Sequence, residues 1–330
     1  MTSATAVTLS AALFLLSVAC GPRSEAAVRA DSLSTAPKAA SAPSNAATGS
    51  VDSSLPAPGP RGVLGRYDLA GEPSWQVRLP KDLNEISGLA FSGDGRLFAH
   101  GDQDATIWQL DAAHGKVLKT FTVAAGDHDP DLGKKRGKGT LAGDFEDIQI
   151  VGNRFFLISS NGVLIEFREG AGGASVPYTA HDTGLGKTCE IEGLTYDPAS
   201  RALLILCKIP HTEAYRKQVV LFAWPLDRGA TDTTPRIRVD YDRLAGTGSS
   251  SFHGSAVALA PGGQSLVLVA GPQEAFAELS LTGEVLSSGG LDRKAHRQPE
   301  GLAFAPDGTL LVSDEGGGKR ATLSGYAPKR

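Results

Sequence analysis

One short phrase occurs five times along the chain. Its copies are Ser87-Gly-Leu-Ala-Phe, Glu146-Asp-Ile-Gln-Ile, Glu192-Gly-Leu-Thr-Tyr, Ser255-Ala-Val-Ala-Leu and Glu300-Gly-Leu-Ala-Phe. Repeats of roughly 40 to 50 residues are the signature of propeller blades. Each copy is followed by a turn rich in Gly, Pro, Asp or Asn, such as Ser92-Gly-Asp-Gly95 or Ala305-Pro-Asp-Gly308. Those residues supply positive φ or preset a turn, so the turns read as hairpin connections. A short apolar run then follows, as in Ala202-Leu-Leu-Ile-Leu-Cys207, which suits a strand buried on both faces.

A third strand follows each hairpin, at Thr106, Val163, Val220, Ala275 and Ala321. More polar fourth strands start at Lys116, Ser175, Arg236 and Glu284. The fifth copy runs out before a fourth strand. The segment Ser74–Pro80 precedes the first copy and can supply it, closing the ring without an open sheet edge. The expected fold is all-β: a five-bladed β-propeller of four-stranded antiparallel blades, closed by an N-terminal strand. Six blades is the alternative, if one long interval hides a degenerate copy.

The ends of the chain divide differently. Residues 1–20 read as a lipoprotein signal peptide, with an apolar stretch at Ala11–Ala19 too short to span a bilayer. Ser17-Val-Ala-Cys20 resembles a lipobox, which makes Cys20 the acylated N-terminus. A plain secretory peptide cleaved near Ala27 is the other reading. Residues 21–62, rich in Ala, Ser, Pro and Thr, read as a disordered tether that cannot bury a core. Residues 63–330 suffice for one propeller. The expected location is the cell envelope, anchored by lipid and facing the periplasm or exterior.

With 32 basic and 36 acidic residues the chain has a net charge of −4, which argues against nucleic acid as a partner. The membrane is met only through the N-terminal lipid. The basic run Lys134-Lys-Arg-Gly-Lys138 reads as a solvated loop. Cys189 and Cys207 flank one hairpin, and antiparallel pairing brings them together; in an oxidising compartment they form a disulfide. Two buried free thiols is the alternative.

A propeller gathers equivalent positions of all blades around one axis. The residues two before each aligned position are Glu85, Asp144, Glu190, His253 and Gln298, and a spacing of two keeps strand side chains on one face. Glu85, Asp144, Glu146, Glu190, Glu192 and Glu300 therefore crowd one rim. Asp102, Asp104, Asp314, Glu315 and the one cation, Lys208, join them from the second strands. Like charges this close call for a proton or a cation, and carboxylates suit Ca2+. The glutamates serve as well as acceptors for open backbone N–H groups of the next blade. Asp127-His-Asp-Pro-Asp-Leu-Gly133 mimics a calcium loop, but its glycine comes late and Lys138 stands where the loop's glutamate belongs.

Glu85-Ile-Ser-Gly-Leu, Asp144-Phe-Glu-Asp-Ile, Cys189-Glu-Ile-Glu-Gly-Leu with Leu204-Ile-Leu-Cys-Lys208, and Gln298-Pro-Glu-Gly-Leu resemble the SdiA-regulated (YjiK-like) family over about residues 73 to 326. The resemblance implies a five-bladed propeller distantly related to NHL repeats, with a calcium site and no assigned reaction. Where that family's fourth copy often carries an acidic residue, this chain has His253. The expectation is a calcium-binding module for an unknown protein or small-molecule ligand at the channel mouth. Glu146, Glu192 and Glu300 are the leading ligands, and any ion sits off the axis toward their blades. The alternatives are a calcium-dependent phosphoesterase or lactonase working at the acidic rim, and a purely structural lipoprotein.

Overall fold

The computed structural model describes residues 62–329, apart from residues 127, 134–138, 245 and 249. The leader, Cys20, almost all of the tether, the basic run at 134–138 and Asp127 of the calcium-loop mimic lie outside the described residues.

The turn grammar of the sequence becomes five sheets. Blade one is β2 (Ile86–Phe91), β3 (Leu97–Gly101), β4 (Thr106–Asp111) and β5 (Lys116–Val123), preceded by β1 (Trp75–Arg78). Blade two is β6 (Phe145–Val151), β7 (Arg154–Ser159), β8 (Val163–Arg168) and, after a short β9 (Ser175–Val176), β10 (Tyr178–Asp182). Blade three is β11 (Cys189–Asp197), β12 (Ala202–Pro210), β13 (Gln218–Pro225) and β14 (Ile237–Asp240). Blade four is β15 (Ala256–Leu259), β16 (Ser265–Ala270), β17 (Ala275–Ser280) and β18 (Val285–Gly290). Blade five is β19 (Pro299–Phe304), β20 (Leu310–Asp314) and β21 (Thr322–Tyr326), completed by β1 against β21. The five-bladed ring and its closing N-terminal strand are as the repeat implies.

One strand differs from expectation. Ser175 and Val176 do not begin the outer strand of blade two; they run parallel to β5 on the edge of blade one, facing Thr122 and Val123. Pro177 has no N–H to give a ladder and interrupts the run. The chain then crosses to β8, where Tyr178–Asp182 forms the fourth strand of blade two. The segment thus straps two blades together.

The innermost strands β2, β6, β11, β15 and β19 pack each against its neighbours, with β19 against β2 closing the circle. The apolar core is divided accordingly into five clusters, one per blade-to-blade interface. Phe98, Phe121, Phe155 and Phe167, for instance, pack in edge-on and tilted pairs between blades one and two. Hydrophobic burial therefore holds blades together and fixes the rim positions from five sides.

Cys189 and Cys207 form a disulfide between β11 and β12, with Cα atoms 5.5 Å apart. The ladder opposes Ile191 to Cys207 and Cys189 to Pro210, so the bond joins neighbours on the two strands that are not directly opposed.

Candidate metal centre at the channel mouth

The repeated phrase marks a β-bulge. In β2, β6, β11 and β19 the ladder slips by one residue at Ser87, Glu146, Glu192 and Glu300: Phe145 faces Ser159 and Asp147 faces Ile158, so Glu146 is the extra residue. In blade four Ser255 donates its amide to Val269 O at 2.8 Å, although Ala256 is the residue that faces Val269. Bulges leave one residue unpaired and re-aim its side chain, and they cluster beside functional sites. Here the device is repeated around the ring, and in three blades the re-aimed residue is a glutamate.

Those glutamates interact. Glu146 stands within side-chain hydrogen-bond reach of Glu192, a contact that two carboxylates share only through a proton or a cation. Glu192 is 3 % exposed. One of its oxygens takes the ammonium of Lys208, at the end of β12. The other, Oε2, is buried and receives no N–H or O–H donor among the described residues. Glu300 feels the charges of both Glu192 and Lys208. With all three glutamates ionised, Lys208 leaves the triangle two positive charges short of neutrality.

The electrostatics follow from this crowding. Burial, then Glu192 and Asp144, push the Glu146 carboxyl up to about 10, against the pull of Lys208. Burial raises Glu192 to about 7, with Lys208 opposing and Glu190 adding to the rise. Burial and then Glu192 raise Glu300 to about 8. Burial lowers Lys208, but Glu192, Glu300 and Glu146 outweigh it and hold the ammonium above its usual range.

Of the second-choice positions, Asp144 acts on Glu146, and Glu190 acts on Glu192 and on His253. Asp144 also accepts a 2.7 Å hydrogen bond from Ser160 Oγ. Glu85 belongs to a separate group with Asp102 and Glu315, which Gln298 contacts. His253 is pushed below its usual range by burial and then Lys208, despite Glu190. Asp104 turns away to cap Thr106, at 3.0 Å from its amide and 2.5 Å from its hydroxyl. In the calcium-loop mimic, Asp129 accepts from Gly126 N at 2.6 Å and Asp131 from Gly133 N at 3.1 Å. Among the described residues, no three acidic, imidazole or thiol groups converge closely enough to coordinate one ion as the side chains stand.

Sequence reasoning missed Asp147. It is 4 % exposed, and its oxygens accept the amides of Ile148 and of Leu194 in blade three, both at 2.7 Å. The signal was present: position two of the phrase is glycine in blades one, three and five, and aspartate in blade two. A Cβ on Gly88 would come within 2.7 Å of Asp147 Oδ1 and 2.5 Å of His100 Nε2, so the glycine makes room for both.

Comparison with known proteins places the fold. Residues 66–130 match the family model of the anaphase-promoting complex subunit 4 WD40 domain, a β-propeller likeness over about blade one. No curated protein matches the sequence. The glutaminyl cyclase of Myxococcus xanthus is similar in structure, at 13 % identity and a TM-score of 0.51, over 78 % of this chain and 96 % of that one. A streptogramin B lyase (14 % identity, TM-score 0.40, 78 % of this chain and 73 % of that one) and a luciferin-regenerating enzyme (10 %, 0.44, 74 % and 91 %) are more distant. At these identities the likeness concerns the propeller fold, which hosts many unrelated functions.

Proposed function

We propose that the protein is a calcium-binding propeller of the cell envelope, a binding or scaffolding module that presents its acidic channel mouth to a ligand. The family resemblance to SdiA-regulated (YjiK-like) proteins agrees with this reading, as do the lipobox-like leader and the Cys189–Cys207 disulfide, which suits an oxidising compartment. The observation that carries it is the Glu146–Glu192 contact beside Glu300. Bulged glutamates from three blades act on a single lysine, which contacts Glu192 alone, and Glu192 has a buried oxygen with no donor among the described residues.

The donor set fits a hard dication: carboxylate oxygens are what Ca2+ takes. Glu146, Glu192 and Glu300 would hold it, with Asp144 and Glu190 beside them and Glu85 farther off. Lys208 holds the place of the cation on Glu192, so binding requires that ammonium to leave. The bound ion would keep the three carboxylates ionised and lock three blades at the mouth.

Calorimetric titration of chelator-treated protein with Ca2+, paired with thermal melts, tests the reading. A saturable heat and a raised Tm are expected, both lost in Glu192→Gln. Absence of heat and of any shift, in wild type and in Lys208→Met, would overturn it.

A hydrolase is the second reading, favoured by one observation. Glu146 and Glu192 are neighbouring carboxyls, both held above their usual range chiefly by burial, and a carboxyl pair that shares a proton can supply an acid and a base at one site. Turnover of generic phosphoesters or lactones that disappears in Glu146→Gln and His253→Ala would select this reading over the first.

A further inference from the structure

A second pocket lies on blade five and the closing strand; Asp314 and Glu315 of the rim edge it, but Glu146, Glu192 and Glu300 do not line it. It encloses about 600 Å3, a size suited to a small organic ligand. Five cationic side chains line it: Arg78 on β1, Lys294 and Arg297 before β19, and Lys319 and Arg320 before β21. On a chain with more acidic than basic residues, five cations around one cavity are a local reversal of sign.

The pocket's own acids are otherwise engaged. Asp314 is buried and accepts from His296 Nδ1 at 2.7 Å and from the amides of Arg297 and Gln298 at 2.9 and 3.1 Å. Glu315 takes the side-chain amide of Gln298. Arg320 is held in place by donating to Leu79 O. Arg78, Lys294, Arg297 and Lys319 make no ion pair among the described residues.

A glycine turn borders the pocket. Gly316-Gly-Gly318 forms a tight turn closed by Lys319 N on Gly316 O at 2.7 Å, with Gly317 and Gly318 both at positive φ. Bare glycine backbone at Gly316 and Gly318 lets a ligand approach the main chain closely. Gln76 and Thr322 add neutral polar groups on the facing strands.

We infer that this pocket binds a phosphate-bearing ligand carrying more than one negative charge, gripped by Arg78, Arg297 and Lys319 over the glycine turn. Arginine forks and a lysine point charge are the usual partners of such oxygens. One phosphate is small for the cavity, so the group belongs to a larger molecule: a soluble phosphoester or diphosphate, or the headgroup of an anionic phospholipid. The grip makes no use of Glu146, Glu192 or Glu300 and holds whether or not they take Ca2+.

The test uses inorganic pyrophosphate as the soluble probe and phosphatidylglycerol vesicles, against phosphatidylcholine vesicles, as the lipid probe. Residues 62–330 and the full chain are both used, by calorimetry and by vesicle flotation. Saturable binding of at least one probe is expected. Arg297→Ala with Lys319→Ala should weaken it by roughly a hundredfold, since each lost charge-assisted bond counts for about a tenfold change. Arg236→Ala, an exposed cation on blade three, should leave it unchanged. Pyrophosphate alone identifies a soluble ligand, and vesicles alone identify a headgroup. Binding of neither probe overturns the inference, as does binding that survives the double variant while its melting temperature stays at the wild-type value.

Discussion

Asp147 on the innermost strand of blade two accepts the amide of Leu194 in blade three at 2.7 Å. Its other oxygen accepts its own strand's Ile148 amide at the same distance. Carboxylate capping of backbone N–H groups across a blade boundary is thus performed by the residue after the bulged Glu146, and Glu146 is left to face the mouth. Asp147→Ala strips two buried amides of their acceptor. The expected loss is about 2–6 kcal/mol, from about 1–3 kcal/mol for each of the two buried unsatisfied groups, read as a lower midpoint in urea. Asp147→Asn retains an acceptor and should lose less. Equal losses for the two variants would mean that the pair of amide bonds is not what the aspartate contributes.

The raised carboxyls set a pH dependence. In the unfolded chain Glu146 and Glu300 ionise near the ordinary 4.5; folded, they are pushed up to about 10 and about 8. Between pH 7 and 9 the native state keeps protons that the unfolded state has released, so stability falls as pH rises. The slope is on the order of 1 kcal/mol per pH unit per retained proton. The contribution is complete below the unfolded value and is lost as pH climbs through the folded ones. His100 works in the opposite sense: burial depresses it to about 4, so the stability it lends is present above the usual 6.5 and lost toward pH 4. Urea unfolding of chelated protein at pH 7, 8 and 9 measures the alkaline limb. Saturating Ca2+ should flatten it, because the ion replaces the protons.

Among the described residues, Lys208 is the only cation resting on the glutamate triangle. Lys208→Met leaves Glu192 buried without its counter-charge, a change that typically costs about 3–5 kcal/mol. The chelated variant should therefore melt well below wild type and bind Ca2+ more tightly, since the competing ammonium is gone. Ca2+ should return most of the lost stability. A variant as stable as wild type without metal would show that the Lys208–Glu192 pair carries no net weight.

The disulfide closes an 18-residue separation within one blade. Cross-links of that span contribute about 3 kcal/mol by restricting the unfolded chain. Reduction, or Cys189→Ser with Cys207→Ser, should lower the urea midpoint accordingly without changing Ca2+ affinity much, because Ile191 and Leu206 still pack the hairpin. Thiol labelling before and after reduction, read by mass, checks that the bond is present.

The ring was legible because each blade repeats its hairpin turns, and because an edge without a partner demands the strand at Trp75. The acidic mouth was legible because a closed ring makes aligned residues neighbours. The bulge was not: a one-residue slip in pairing leaves no mark on an apolar pattern, yet it breaks the two-residue alternation and separates the roles of Glu146 and Asp147. The strap at Ser175–Val176 was misplaced because two residues before a proline pair equally well with either edge in sequence terms. Only packing against Thr122 and Val123 decides the matter. Asp102 and Glu315 were expected at the rim, but their grouping with Glu85, apart from Glu146, depends on side-chain directions that spacing alone does not give.

Glu278 on β17 is fully buried and was not singled out in the sequence, where Ala275-Phe-Ala-Glu-Leu reads as an ordinary third strand. Its carboxylate accepts the amides of Val63 and Leu64 at 2.6 and 2.9 Å and the hydroxyl of Ser265 at 2.6 Å. It therefore ties the first described residues to blade four, while β1 a few residues later completes blade five. The seam of the ring is thus held on both sides of the point where the chain enters. Glu278→Ala frees two amides and a hydroxyl at once, and a loss of about 3 kcal/mol or more is expected from the buried groups left unsatisfied. The more specific readout is local. Amides 63 and 64 should lose protection from hydrogen exchange, and proteases should cut between residues 63 and 75 in the variant but not in wild type, while the interfaces of blades one to three keep their protection. Uniform loss of protection around the ring would instead mark Glu278 as a general core residue, with no part in fastening the seam.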